Sequence, residues 1–212
     1  MRLGLLASGR GSNADAILAA IAKGRLDAVA ELLVCDREAG ALQVAERHGV
    51  PALVIPRRDH PDRATQQTAI RDALLGAGVD FVALAGFSAI LEPVVVDAFE
   101  GRILNIHPSL LPAFAGTVAP QPQADALAAR VRFAGCTVHV VTTEVDAGPI
   151  VGQALVPVLP DDTVESLAAR ILVEEHRLYP QALQWFAEGR VSISDGIARV
   201  SAGPNAGPAQ RR

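Results

Sequence analysis

The stretch Arg2-Leu3-Gly4-Leu5-Leu6-Ala7-Ser8-Gly9-Arg10-Gly11-Ser12-Asn13 decides the fold. Its apolar run ends in a turn with two glycines, and Ile17, Leu18, Ile21 and Ala22 then recur at helical spacing, so it reads as strand, turn, helix. Working outward, the same alternation continues. Residues 28–35, 52–55, 81–85 and 103–107 read as strands, with helices over 41–48 and 62–76 and a short one near 92–98. The strands are apolar throughout rather than alternating, as expected where both faces of a sheet are covered. The predicted class is α/β: a Rossmann-like, mostly parallel sheet flanked by helices. Residues 131–141 and 150–158 read as two more strands. The loop 142–149 between them is too short for a crossover helix, so they should pair antiparallel.

A helix is predicted over 163–188, with Asp162 and Glu165 as a capping box, Gly189 as its stop and Pro180 as a kink or break. Beyond about residue 200 the periodicity ends. The reading is one domain over 1–200 and a flexible tail over 201–212, with no internal repeat and no interdomain linker.

Composition narrows the function classes. The 212 residues are 50% hydrophobic and 20% charged, enough to bury a core and too apolar for general disorder. No apolar run reaches the roughly 18 residues of a membrane span and no signal peptide opens the chain, so no membrane association and a cytoplasmic location are expected. The formal net charge is −4 and aromatics make up 4%, which argues against nucleic acid as a partner. Cys35 and Cys136 stand alone in apolar surroundings, without the spacing of a disulfide framework or a metal site, and are expected in the core.

Two motifs carry chemistry. Gly9 and Gly11 allow a tight turn, after which Ser12 and Asn13 offer unpaired N–H groups at a helix start, a setting that binds phosphate. The same residues match a GxGxxA dinucleotide fingerprint, with Asp36 at the end of the second strand as the ribose acid. A glycine turn made only for strand–helix packing is the third reading. In the strand 103–107, Asn105 and His107 project from one face while Leu104 and Ile106 project from the other, and Pro108 ends regular pairing. Two polar groups thus emerge together at the carboxyl edge of the sheet, where open α/β folds bind ligands. Asp146, by composition, reads as a surface turn acid, and its spacing does not bring it to His107.

The segments Ser8–Asn13, Asn105-Ile106-His107-Pro108-Ser109-Leu110-Leu111-Pro112, Gly135–His139, Asp146-Ala147-Gly148-Pro149-Ile150 and Glu175-His176-Arg177-Leu178-Tyr179-Pro180 occur in one order. Over roughly residues 1–196 the chain resembles the phosphoribosylglycinamide formyltransferases of the folate formyltransferase superfamily. The resemblance implies the formyltransferase fold and transfer of a formyl group from 10-formyltetrahydrofolate, the co-substrate, to the amine of glycinamide ribonucleotide in purine biosynthesis. It implies direct amine attack with no metal, and Asn105, His107 and Asp146 as catalytic residues. Gly11, Ser12 and Asn13 would hold the ribonucleotide phosphate and Glu175 its ribose and amine end. The folate would lie in a cleft formed by Ser88, Ala89, Ile90 and Leu91, by Asn105, and by Thr142, Thr143, Glu144, Val145 and Asp146, with Arg63 near its glutamate end. A monomer or homodimer acting on small molecules is expected.

The match also has departures. Many members carry Met-Arg where Ser88-Ala89 stands, and a polar residue where Leu172 stands. After Pro112 the usual proline is replaced by Ala115, the histidine soon after Gly116 is missing, and about three residues are inserted. Pro120 and Pro122 predict a turn-rich loop over 113–124. The alternatives are a 10-formyltetrahydrofolate hydrolase, which usually adds an N-terminal regulatory domain, and a methionyl-tRNA formyltransferase, which adds a basic C-terminal one; neither addition is expected here. A non-enzymatic dinucleotide-binding module would use Gly9, Gly11 and Asp36 and leave Asn105, His107 and Asp146 without a role.

Overall fold

A computed structural model describes residues 1–203, so most of the expected tail, 204–212, lies outside the described residues. The opening stretch is β1 (Arg2–Ala7) followed by α1 (Ser12–Ala22), as its pattern predicts. The alternation then runs through β2 (Val29–Cys35), α2 (Gly40–His48), β3 (Ala52–Val54), α3 (Arg63–Gly76), β4 (Phe81–Leu84), the single-turn α4 (Pro93–Val96) and β5 (Ile103–His107). The second half holds α5 (Gln121–Ala128), β6 (Phe133–Val140), β7 (Ile150–Pro157), α6 (Val164–Ala187), β8 (Val191–Ser194) and β9 (Ile197–Val200).

The seven-stranded sheet has the order β3-β2-β1-β4-β5-β6-β7. β1 to β5 pair in parallel, while β5–β6 and β6–β7 are antiparallel, so the expected mixed sheet is present. The winding reverses between β1 and β4. That places a crevice at their carboxyl ends, where Ser8 N donates to Gly86 O at 3.0 Å.

One core cluster joins Leu3, Leu5, Leu104 and Ile106 of the sheet to Ile17 of α1 and to Ile171, Leu178 and Tyr179 of α6. The other joins Leu6, Val34, Val82 and Ile103 to Ile70 and Leu74 of α3 and to Val95 and Phe99. On this second face α3 and α4 cover mainly the parallel half. Alternation along β5 puts Asn105 and His107 on the same face as Ile103, beyond that cover.

Three expectations need correction. Pro180 does not split α6, which runs unbroken from Val164 to Ala187. The neighbouring Leu178, Tyr179, Ala182 and Leu183 are all buried, and this packing holds the helix through the missing N–H. The capping box is Thr163–Ser166 rather than Asp162–Glu165. Asp162 instead accepts from Leu159 N and Ser166 Oγ and pairs with Arg170. The loop 113–124 contains the start of α5, because Pro122 sits in the helix's first turn, where no intrahelical donor is needed. β8 and β9 add a hairpin closed by Asp195-Gly196, both at positive φ, a two-residue turn signal.

Candidate active site

On the face of β5, β6 and β7 that α3 and α4 leave uncovered, strand alternation gathers Asn105, His107, Thr137, His139 and Gln153. Asn105 and His107 on β5 lie opposite His139 and Thr137 on β6, and Gln153 of β7 pairs with Thr137. Thr137 and Gln153 hold the chain that leaves β5. Leu111 N donates to Thr137 Oγ1, Thr137 Oγ1 donates to Ser109 O, and Gln153 Nε2 donates to Leu111 O, at 2.7–3.0 Å. The segment after His107 is therefore folded back over its own strand.

Asp146 closes the group. Its carboxylate lies 3.3 Å from His107 Nδ1 and 3.5 Å from His139 Nε2, with Oδ2 accepting from Gly116 N at 2.8 Å. Asp146 reaches inward from the β6–β7 loop with φ +54°, a conformation an aspartate tolerates better than most residues. The loop turns tightly at Gly148, where an added Cβ would lie 1.8 Å from Val140 O, so only glycine fits. His139, which the sequence reading did not select, links Asp146 to Asn105, whose Nδ2 is 3.1 Å from His139 Nε2. His139 Nδ1 faces Val140 O at 3.1 Å, while its Nε2 faces both Asn105 Nδ2 and Asp146 Oδ1. The available signal was the Gly135–His139 alternation, which puts Thr137 and His139 on one face.

Electrostatically, His107 stands between two acceptors, with Phe114 O 3.2 Å from its Nε2. The protonated ring would satisfy both. Burial opposes that charge and outweighs the attraction of Asp146, holding the His107 pKa below its ordinary value. Burial alone would push the Asp146 carboxyl up, but His139, the Gly116 N–H and the charge of His107 together keep it below the usual carboxylate range. The result is an ionised acid backing a neutral imidazole.

The glycine turn forms a second group. Gly11 has φ +80° and approaches α2 so closely that a Cβ would meet Ala41 Cα at 2.7 Å, which excludes other residues. The N–H groups of Ser12 and Asn13 open α1. Asn13 Nδ2 donates to Glu175 Oε2 at 2.8 Å, while Asn13 Oδ1 is buried with no hydrogen-bond partner. Burial raises the Glu175 pKa, with the Asn13 contact opposing it. No hydrogen bond among the described residues joins Glu175 to Asn105, His107 or Asp146.

The segment expected to line the folate cleft is positioned from both sides. Ser88 N donates to Ser8 Oγ at 3.0 Å, tying it to the glycine turn. Gln67 Nε2 donates to Ile90 O at 2.8 Å, and Arg63 pairs with Glu92, so α3 brings Arg63 beside this segment. Ile90 is exposed and Leu91 buried. Thr142, Thr143, Glu144 and Val145 are exposed on the loop that carries Asp146, and no hydrogen bond joins them to 88–91 among the described residues. Asp36, the acid of the dinucleotide reading, is buried and held in a bidentate pair by Arg37 Nε and Nη2 at 3.0 and 2.8 Å.

A half-buried amide, a buried imidazole and an ionised carboxylate meet beside the carboxyl edge of a doubly wound α/β sheet, a set of groups that can polarise a carbonyl and move a proton. The chain belongs to the formyl transferase family, whose model matches residues 1–183. It is 47% identical to glycinamide ribonucleotide transformylase 1 from Symbiobacterium toebii, with a TM-score of 0.91 over 94% of this chain and 93% of that one. It is 37% identical over 198 residues to phosphoribosylglycinamide formyltransferase of Haemophilus influenzae, covering 93% of this chain and 92% of that protein. It is 40% identical over 197 residues to the trifunctional purine biosynthetic protein adenosine-3 of Chironomus tentans, covering 92% of this chain. There it spans only 14% of the relative's length.

Proposed function

We propose that the chain transfers the formyl group of 10-formyltetrahydrofolate to the primary amine of glycinamide ribonucleotide, a step of purine biosynthesis, as a single domain over 1–200. The observation that carries this reading is the reach of Asp146 from a distant loop to both His107 and His139, in a chain that matches a phosphoribosylglycinamide formyltransferase along nearly its whole length.

The amine nitrogen attacks the formyl carbon, a C–N bond forms and the carbonyl oxygen becomes an oxyanion. Asn105 Nδ2 and His107 supply donors where that charge develops; such a donor contributes about 3–4 kcal/mol. The ammonium formed on attack loses a proton, the bond from carbon to the folate nitrogen breaks, and that nitrogen takes up a proton as it leaves. His107 moves these protons, and Asp146 stabilises its charged form for as long as it holds one. Phe114 O, 3.2 Å from His107 Nε2, marks the position from which a substrate atom would meet the ring. The phosphate sits on the N–H groups of Gly11, Ser12 and Asn13, which suits an acidic chain because backbone donors need no basic side chain. Glu175 holds the ribose and amine end, and the folate lies along Ser88–Leu91 and Thr142–Asp146, with Arg63 near its glutamate. The chain acts in the cytoplasm as a monomer or homodimer.

The test is steady-state transfer by His107→Ala, with the circular dichroism of the wild type as the check on folding. The expected result is loss of formylated ribonucleotide by a factor of roughly a thousand or more. A folded variant with near wild-type transfer would remove His107 from the mechanism.

A further inference from the structure

Arg37 lies at the carboxyl end of β2 and is held more firmly than a surface arginine needs to be. Its side chain is 58% exposed, yet its partner Asp36 is only 6% exposed. The two form a bidentate pair, Nε to Oδ1 at 3.0 Å and Nη2 to Oδ2 at 2.8 Å, which fixes the plane of the guanidinium. The second Nη2 hydrogen reaches across the sheet to Ser88 Oγ at 3.2 Å. Ser88 is tied in turn to Ser8, at the head of the glycine turn. Three strand ends, those of β1, β2 and β4, thus meet at one cation beside the crevice where the winding reverses. Nη1 has no hydrogen-bond partner among the described residues, which leaves two N–H donors in a fixed direction on an exposed rim. Most of the entropy cost of ordering a long side chain is already met before anything binds.

We infer that Arg37 is a binding residue for a substrate oxyanion, taking it through Nη1 while Asp36 and Ser88 hold the guanidinium in place. The inference rests on the formyl-transfer reading for its ligands, both of which are anions: the phosphate monoester of the ribonucleotide and the carboxylates of the folate's glutamate. Because Asp36 balances the charge, Arg37 acts as an oriented pair of donors rather than as a free positive charge. Its contribution should therefore be only weakly sensitive to salt.

The test is Arg37→Gln, with Asp36→Asn/Arg37→Gln as a second variant that leaves no uncompensated buried carboxylate. In each, KM is measured for the two substrates separately, and again with the riboside lacking phosphate and with a pteroate-type donor lacking glutamate. The expected result is a rise of roughly tenfold to a hundredfold in one KM, with kcat within about twofold of wild type, the rise vanishing when that substrate's anion is removed. A phosphate-dependent effect assigns Arg37 to the acceptor, and a glutamate-dependent one assigns it to the folate. Unchanged KM values in a folded variant would overturn the inference. So would a loss of kcat that persists without either anion, which is what a merely structural latch would produce. If the wild type transfers no formyl group at all, the formyl-transfer reading fails first. Titration of wild type and variant with inorganic phosphate and with pteroylglutamate then still decides whether Arg37 binds an anion.

Discussion

Replacing Asp146 by Asn removes one charge and almost no volume, so its effect isolates what the carboxylate does. The charge lies 3.3 Å from His107 Nδ1. At an effective dielectric near 20, unit charges at that separation interact by roughly 5 kcal/mol, an upper bound on the stabilisation lost when His107 becomes charged during transfer. The side-chain amide can still offer an oxygen to Gly116 N or to a ring nitrogen, which recovers part of that. The expected loss in kcat is therefore roughly a hundredfold to ten-thousandfold, with little change in either KM. The pH profile adds a second readout. Burial already holds the His107 pKa below its ordinary value near 6.5, against the pull of Asp146. In the wild type the low-pH limb of kcat/KM should thus fall at a pH below 6.5, and in Asp146→Asn it should move lower still. Stability has the same sign: with a depressed folded pKa, the neutral ring costs nothing at high pH, and stability is lost as pH falls through 6.5 toward the folded value. Rates across pH 5–9 check the limb, and thermal melts over the same range check the stability. A loss of less than tenfold, or a limb that does not move, would mean that the carboxylate does not act through the charge on His107.

Other perturbations probe the frame. Tyr179→Phe removes a fully buried hydroxyl whose single proton is shared between Leu104 O at 2.8 Å and Leu84 O at 3.2 Å. It should cost about 1–3 kcal/mol and lower Tm by several degrees while kcat is kept, as thermal melts and rates will report. Glu175 has a raised pKa, so its protonated form favours the fold at low pH, and that benefit is lost as pH rises through the folded value. Glu175→Gln should then melt higher than wild type near pH 8, with the gain vanishing toward pH 4–5, and should raise the acceptor KM; an equal or lower Tm at pH 8 contradicts this. Gly148→Ala would place a Cβ 1.8 Å from Val140 O. The Asp146 loop must shift to relieve it, and transfer should fall by more than about a hundredfold, since sub-ångström placement governs such sites.

The fold was largely legible because the parallel strands are continuous apolar runs bounded by glycine and helical periodicity. Asn105 and His107 were legible as a pair for the same reason, since strand alternation puts them on one face. Asp146 was not, because its approach depends on a left-handed residue in an irregular loop, and nothing in local spacing encodes that reach. His139 and Thr137 could have been found. Their alternation with Cys136 and Val138 marks a strand with one polar face, and antiparallel pairing with β5 then sets Asn105 against His139. α5 was hidden altogether by prolines that read as breakers, although Pro120 is its N-cap and Pro122 lies in its first turn. Asp195-Gly196 was a plain hairpin signal, obscured by its place between a long helix and an aperiodic end.

The most direct test follows the formyl carbon itself. The chain is given 10-formyltetrahydrofolate labelled at that carbon together with glycinamide ribonucleotide, and the label is traced by NMR in one reaction. The expected result is label in a new amide on the ribonucleotide, formed much faster than labelled formate. Label that appears only as formate, with the ribonucleotide amine untouched, would contradict it.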